Sequence, residues 1–388
     1  MAENPTDLQT AINALKSYCL LWNLTVNTSK TKVMIFSRGK IRKKPLFSFG
    51  DNELEIVDDY IYLGITMNYN GRFKKAISKQ VSQARRAMFK ILGKIRQLLL
   101  PPDIACELFD KVVLPILLYG SEIWGFEDIT QVEIFYRNFL RNVLKVNKST
   151  ASCMIYGETG RYELSNIVAT RIIGFWCRLL SGKQSKLSCM MFKLMKSMHE
   201  DVECSFTSKW VANIIDLLDK YGLSHIWLEQ KQVNVNWVKL VFEQRIRDTI
   251  KQNWHNEVQN NSQCINYRIV KDNLDFESYL RKLNCNDRIN LCKFRCGNHH
   301  LPCVAGRYVN IPRSERKCNL CDLNAIGDEF HYLFECTYFS DDRAKYISRY
   351  YVIRPNILKM SSLFNTRSSK KLSQLAKFIK LIMAKFKT

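Results

Sequence analysis

The sequence predicts an α+β chain that is mostly α-helical, and three observations predict it. Apolar residues recur at helical spacing through most of the 388 residues, period-two alternation is confined to two short runs in the first 70, and cysteine and histidine crowd together near the C-terminus. With 46% hydrophobic and 12% aromatic residues the chain can bury at least one full core, which excludes disorder throughout; its length suggests two or three domains.

The first element reads as an amphipathic helix, with Leu8, Ile12, Leu15, Cys19 and Trp22 on one face and a capping box of Thr6 with Gln9 after Pro5. A strand is expected over Thr31–Phe36, where Val33 and Ile35 alternate with Lys32 and Met34. A second is expected over Tyr60–Met67, after the turn signal Gly50-Asp51-Asn52. Between them, Lys40-Ile41-Arg42-Lys43-Lys44 reads as a solvated basic loop ahead of a nuclear localisation signal. From about 71 to 97 the pattern is a long helix on which Lys75, Lys79, Arg86, Lys90 and Lys94 share one face, while Val81, Ala84, Met88, Ile91 and Ile95 lie opposite. Such a cationic stripe can follow a phosphate backbone while its back packs on a core. Pro101-Pro102 ends this helix, and further helical stretches follow around Ile104–Leu118, Ile129–Leu144 and Ile167–Leu180. The middle, from 182 to 290, is helical by pattern, with Trp210, Trp227, Trp237 and Trp254 as core and packing residues. Residues 369–388 form an amphipathic basic helix.

Charge narrows the partner. Lys plus Arg outnumber Asp plus Glu by 59 to 36, a net charge of +23 that favours a polyanion, because each phosphate neutralised releases counterions. Nucleic acid fits better than a membrane: no apolar run approaches the ~20 residues that span a bilayer, and Met1-Ala2-Glu3-Asn4-Pro5 carries no signal-peptide core. An intracellular protein, nuclear and/or cytoplasmic, is expected, with its 14 cysteines mostly reduced.

One cysteine group carries metal chemistry. Cys318-Asn-Leu-Cys321, nine residues, His331, four residues and Cys336 give C-x2-C-x9-H-x4-C. Three thiolates and an imidazole are a normal tetrahedral set for zinc (Zn2+); the close pair suits a tight turn, and the later pair suits ligands one helical turn apart. Four protein ligands leave no open position, so the ion is expected to be structural and not to activate water. Upstream, Cys296, His299, His300 and Cys303 read mainly as a turn packed under this knuckle, with a second ion as the alternative.

Five stretches, in order, resemble the C-terminal part of a reverse transcriptase of non-LTR (LINE-type) retrotransposons. Asp7 through Leu24-Thr-Val-Asn27-Thr-Ser-Lys30-Thr31-Lys32-Val33-Met34-Ile35-Phe36 resembles the helix and strand after the catalytic palm hairpin. Tyr60-Ile-Tyr62-Leu63-Gly64 is similar to the primer grip, and Leu114-Pro115-Ile-Leu-Leu-Tyr119-Gly120-Ser-Glu122-Ile-Trp124-Gly125 to the thumb signature. Tyr156-Gly157-Glu158-Thr-Gly160-Arg161-Tyr162 matches a stretch after the thumb, and the knuckle, with Gly306-Arg307-Tyr308 before it and Gly327-Asp328-Glu329-Phe330-His331 inside it, is the fifth. The resemblance implies a partial palm at 1–70, a helical thumb at 71–165, a helical linker at 166–290, a CCHC zinc-knuckle module at 291–345 and a basic helical tail at 346–388.

It also implies RNA-directed DNA polymerase chemistry in an intact element, where palm aspartates hold paired Mg2+ ions. Those aspartates are absent here, and the missing N-terminal polymerase part is expected to precede position 1. Asp58-Asp59 reads as a strand start, and Phe339-Ser-Asp341-Asp342 as a helix start where acids favour the dipole. Lys30 matches a lysine that can act as general acid toward pyrophosphate; without the metal site it is expected to be a surface or turn residue. The partners implied are RNA template, primer duplex or target DNA, contacted by Tyr60, Tyr62, Leu63 and Gly64, by the stripe of Lys75, Lys79, Arg86, Lys90 and Lys94, and by the knuckle of Cys318, Cys321, His331 and Cys336. A stand-alone zinc-dependent nucleic-acid-binding protein and a decayed remnant are the alternatives.

Overall fold

Pro5 sets the first helical position, so the residue before it becomes the cap: in the computed structural model Asn4 accepts the Asp7 N–H at 2.9 Å and the helix runs Pro5–Leu21. Thr6 lies inside the helix and does not cap it. Gln9 instead holds the neighbouring sheet, donating to the Ser48 carbonyl at 2.8 Å and accepting the Ser48 N–H at 3.0 Å. All residues are described except 1, 38, 40–43, 184, 202, 204–206, 231–233 and 387–388; the basic segment 40–43 therefore lies outside the described residues.

The strands are shorter than alternation suggested. Lys32–Val33 pairs in parallel with Glu55–Ile56, and Ser48–Phe49 forms a hairpin with Asn52–Glu53. The expected strand over 60–67 is a hairpin, Asp59–Tyr62 against Ile65–Asn68, because Leu63 and Gly64 both take positive φ (46° and 84°) and reverse the chain in two residues. A small core of Val33, Phe47 and Leu54 gathers Leu8, Ile12, Ile35, Phe49 and Ile56. Of the predicted helix face, Leu15 (48%) and Trp22 (62%) are exposed, since this core is too small to reach them.

A second, continuous core begins at Ile77 and extends to Ile382. Lys74–Gln97 buries Val81, Ala84, Met88, Ile91 and Ile95, as its periodicity requires. The helix expected over 104–118 is interrupted: Pro102–Leu108 passes into a π turn at Phe109–Val113 before Leu114–Leu117. Pro115 has no N–H to donate and its ring would meet the carbonyl four residues back, so the widened turn before it relieves both problems. Thr130–Leu144 and Leu164–Ser181 follow, then Leu187–Glu200, Lys209–Lys220 and Val235–Asn260 in the helical middle. Trp210, Trp227 and Trp254 are buried, but Trp237, in the first turn of its helix, is 46% exposed. Ser369–Lys385, capped by Ser368, is the expected final helix; it buries Leu372, Leu375, Phe378, Ile379 and Ile382 and keeps Lys370, Lys377 and Lys380 exposed. Among the described residues no helix is long and apolar enough to cross a membrane.

Two ties position the distant segments. Gly120, at φ 68°, sits so close to the Asp59–Asn68 hairpin that a Cβ would stand 2.6 Å from Ile65 Cδ1; beside it Tyr119 donates to the Leu63 carbonyl at 3.0 Å. The Tyr60 and Leu114 stretches therefore dock on each other. The second tie is buried and charged. Arg295 Nε donates to Glu158 at 3.0 Å, its guanidinium also lies 3.2 Å from Glu277, Lys271 bridges Glu277 at 2.6 Å, and the Tyr279 hydroxyl donates to Glu158. This clamp joins the Ser152–Thr159 helix to the Cys285–Arg295 helix that leads into the knuckle.

Candidate metal centre and basic surfaces

The knuckle is built from a tight turn and a widened helical one. Lys317 and Ile326 form a β-bridge, closed by Cys318 N–H on the Ala325 carbonyl at 2.9 Å, and Lys317 Nζ donates to the Asn324 carbonyl at 2.9 Å. This turn presents Cys318 and Cys321 together. His331–Glu335 is a π turn, not the α-helical turn expected, and the Cys336 N–H reaches the His331 carbonyl at 2.9 Å. Four residues lie between the two ligands, and an i to i+5 turn is what brings residues so spaced onto one side.

The four donor atoms lie within 4.8 Å of one another. Sulfur separations are 3.6 Å for Cys318–Cys321 and 3.9 Å for Cys318–Cys336, and Cys321 Sγ is 3.4 Å from His331 Nε2. Zinc bound tetrahedrally at about 2.3 Å to sulfur and about 2.0 Å to nitrogen requires S···S edges near ~3.8 Å and S···N edges near ~3.5 Å. These groups fit that ion, and the sulfurs are too far apart for a disulfide. Zinc bound here would hold the two turns together; Cys318, Cys321, His331 and Cys336 would supply all four ligands.

The surroundings favour the thiolate at Cys318, whereas burial pushes the Cys336 thiol up to about 12. Burial opposes ionisation of Cys318, but the Tyr332 hydroxyl, the Leu320 N–H, His331 and Cys321 overcome it and bring the thiol down to about 7. His331 turns Nε2 to the cluster because Nδ1 faces the Glu335 carboxylate at 3.3 Å, and its N–H donates to Asp328 at 3.1 Å. Arg343, buried, donates to the Leu333 and Cys336 carbonyls at 2.8 and 2.6 Å and so caps the π turn. Sequence reasoning missed Glu335, Asp328 and Arg343, although the four-residue interval from His331 to Glu335 was a readable signal.

The upstream cysteines and histidines do not converge on a second ion. His299 Nε2 meets Glu329 at 2.9 Å and Cys303 Sγ meets it at 3.7 Å, while His300 is exposed. Among the described residues the only group that could hold a metal is the knuckle set.

The other predicted residues lie on two surfaces. Tyr60 (41%), Tyr62 (58%), Leu63 (74%) and Gly64 form an exposed hairpin end. Arg86, Lys90 and Lys94 project to solvent, Lys79 is half-buried, and Lys75 is exposed but bound to Asp59. Lys30 stands in a surface turn closed by Asn27. Asp58 and Asp59 pair with Lys44 and Lys75, and Asp341 and Asp342 occupy the first turn of Ser340–Tyr346, so both acidic pairs have structural employment.

No protein-family model and no solved structure matches the chain. Among curated proteins it is similar to a transposon-derived protein of Caenorhabditis elegans, 32% identical over 130 residues, which is 32% of this chain and 45% of that protein. It is also similar to the 115 kDa protein in a type-1 retrotransposable element of Drosophila melanogaster, 26% identical over 104 residues, 26% of this chain and 10% of that protein. The chain spans less than half the length of these relatives. Its similarity is thus to proteins of transposons and retrotransposons.

Proposed function

We propose that this chain is the C-terminal part of a retrotransposon RNA-directed DNA polymerase, and that it binds RNA template, primer duplex or target DNA through a basic thumb and a zinc-bound knuckle. In this reading residues 1–70 are a partial palm, 71–165 the thumb, 166–290 the linker, 291–345 the knuckle module and 346–388 the tail. The polymerase activity resides in the intact protein; the palm aspartates that hold Mg2+ are not among these residues.

The observation that carries the reading is the Lys74–Gln97 helix. Its apolar side is locked into the same core that holds the knuckle, while Arg86, Lys90 and Lys94 stand in solvent without a carboxylate partner among the described residues. A rigid cationic face binds a phosphate backbone without sequence preference, and a closed zinc site orders a module without reacting. The apolar residues exposed on the first unit, Leu15, Tyr18, Trp22 and Phe36, support its packing against further polymerase structure in the intact element.

The test uses the full chain purified with zinc. One zinc per chain and binding of fluorescent RNA and primer-template duplex that weakens steeply with salt are expected. Cys318→Ser with Cys321→Ser should remove the zinc and weaken binding. A parent that holds no zinc and binds neither probe at low salt would sink the proposal.

A further inference from the structure

Between the Lys74–Gln97 and Thr130–Leu144 helices runs a groove of about 920 Å³. Five cationic side chains line it: Arg85, Arg141, Lys145, Lys148 and Lys293. They come from three places in the chain, and Lys293 arrives from the Cys285–Arg295 helix, far away in sequence. No carboxylate lines the groove, and among the described residues none of the five cations is paired with one. The remaining polar lining is amide: Gln131, Asn138, Asn142 and Asn147. Phe89 lies at the same groove with 63% of its surface exposed.

A lysine or two after a helix end has an ordinary explanation, since cations there offset the dipole, and this covers Lys145 and Lys148 after Leu144. It does not cover Arg85 or Lys293, which belong to other helices. Two of these cations are held partly out of water. Burial, with the nearby charge of Arg96, holds the Lys145 ammonium below its ordinary value, and burial with Arg137 does the same to Arg141. Arg141 donates to the Thr150 carbonyl at 3.0 Å while its Nε is buried without a partner. Lys145 also adopts φ 58°, a conformation that favours glycine or asparagine. Partly desolvated cations and a strained lysine meet in one place with no carboxylate beside them, and a polyanion would stabilise those cations.

We propose that this groove is a binding site for single-stranded nucleic acid, with Arg85, Lys145, Lys148 and Lys293 along the sugar-phosphate backbone and Phe89 as a stacking surface for an unpaired base. The site is distinct from the stripe of Lys79, Arg86, Lys90 and Lys94, and it rests on the nucleic-acid-binding reading above. Donors and cations without carboxylates select phosphate, and an exposed aromatic ring beside them selects a strand whose bases are free to stack. A duplex has no such base to offer. The groove also places Lys293 two residues from Arg295 of the buried clamp, so the strand would lie across the junction of the thumb-like helices and the helix that leads into the knuckle.

The test titrates a fluorescent oligouridylate of about 12 nucleotides, a length within the span of single-strand sites, and a blunt RNA duplex into the zinc-loaded full chain at two salt concentrations. One variant carries Lys145→Gln, Lys148→Gln and Lys293→Gln, a second Phe89→Ala, and a charge-matched third Lys370→Gln, Lys377→Gln and Lys380→Gln. Circular dichroism and zinc content confirm that each is folded, and all the substituted side chains are exposed or half-buried. The groove variant should bind the single strand at least about ten-fold more weakly, with its salt slope reduced by about 2, the loss of three phosphate contacts at roughly 0.7 each. Phe89→Ala should weaken the single strand by about five-fold or more and leave the salt slope unchanged. The third variant should stay within about two-fold of the parent. A groove variant that matches the third variant in affinity and slope, beside a parent that binds, overturns the groove and leaves the broader reading standing. Duplex held more tightly than oligouridylate, with Phe89→Ala silent, overturns its single-strand character. A parent that binds neither probe fails the broader reading and this one with it.

Discussion

At the knuckle, Cys318, Cys321, His331 and Cys336 bring four electron-pair donors within 4.8 Å and none of them carries a compensating charge. At the Glu158 clamp the opposite holds: a fully buried carboxylate already meets the Arg295 guanidinium at 3.0 Å and the Tyr279 hydroxyl. Both centres tie stretches of chain that periodicity alone would leave apart. The clamp's charges are matched by residues of the chain, although Arg295 Nη1 and Nη2 lack hydrogen-bond partners, whereas a cation would complete the knuckle. Metal removal should therefore separate them.

The largest effect is expected at the knuckle. Chelation, or Cys318→Ser with Cys321→Ser, forfeits ligand binding worth on the order of 10 kcal/mol in small zinc modules. Hydrogen exchange should accelerate over 313–346 and stay slow in the Lys74–Gln97 and Leu164–Ser181 helices. Unchanged protection over 313–346 after verified zinc loss would mean that the knuckle packs without an ion. The clamp ranks next. Glu158→Ala leaves Arg295 buried with Glu277, 3.2 Å away, as its one remaining carboxylate, so the cost should approach the about 3–5 kcal/mol of a broken buried pair, and chelator should change that cost little. Urea denaturation of the zinc-loaded protein measures it; a loss under about 1 kcal/mol would show that the pair contributes little.

What the sequence revealed depended on how local each feature is. The ligand set spans Cys318 to Cys336 and needs only a short stretch of chain to close, so its spacing was enough to assemble it. The long helices were legible because their buried faces repeat every turn, as Val81, Ala84, Met88, Ile91 and Ile95 do. The π turns at Phe109–Val113 and His331–Glu335 were not, because a residue spacing alone does not distinguish a helical turn from a wider one. Leu63 also masked a hairpin: leucine at positive φ is an unfavourable choice, tolerated here at an exposed tip braced by Tyr119. Glu158 and Arg295 lie 137 residues apart, and the groove cations belong to three segments; no periodicity connects Arg85, the 141–148 stretch and Lys293.

A third buried carboxylate sharpens the contrast between paired and unpaired charge. Glu133 accepts the Ser165 N–H at 2.7 Å through Oε1, but its Oε2 is buried without a partner. Burial, helped by the charge of Glu163 and opposed by the Ser165 N–H, pushes its carboxyl up to about 7. The folded chain therefore holds a proton that the unfolded chain releases near its ordinary value of about 4.3. The stability this group contributes is fully present below that value and is lost as pH rises through about 7, a fall on the order of 1–3 kcal/mol. Glu133→Gln, which keeps an acceptor for Ser165 and cannot ionise, should be the more stable form at about pH 8 and lose its advantage at about pH 4. Parallel urea curves for parent and variant across that range would refute the assignment of the proton to Glu133.

The weakest tie should be the neutral one, between the Asp59–Asn68 hairpin and the main core. Tyr119 donates to the Leu63 carbonyl at 3.0 Å with its ring 49% exposed, so water can replace the hydroxyl when it is removed. Tyr119→Phe should then cost no more than about 1 kcal/mol, the net worth of a partly solvated hydrogen bond. The loss should fall on the hairpin: Asp59–Tyr62 and Ile65–Asn68 should exchange their amides faster while the Ile77–Ile382 core keeps its protection. If instead the whole chain loses several kcal/mol, the hairpin and the core unfold as one unit. The contact of Gly120 with Ile65, which the substitution leaves in place, would then be the dominant connection and the hydroxyl more than a local brace.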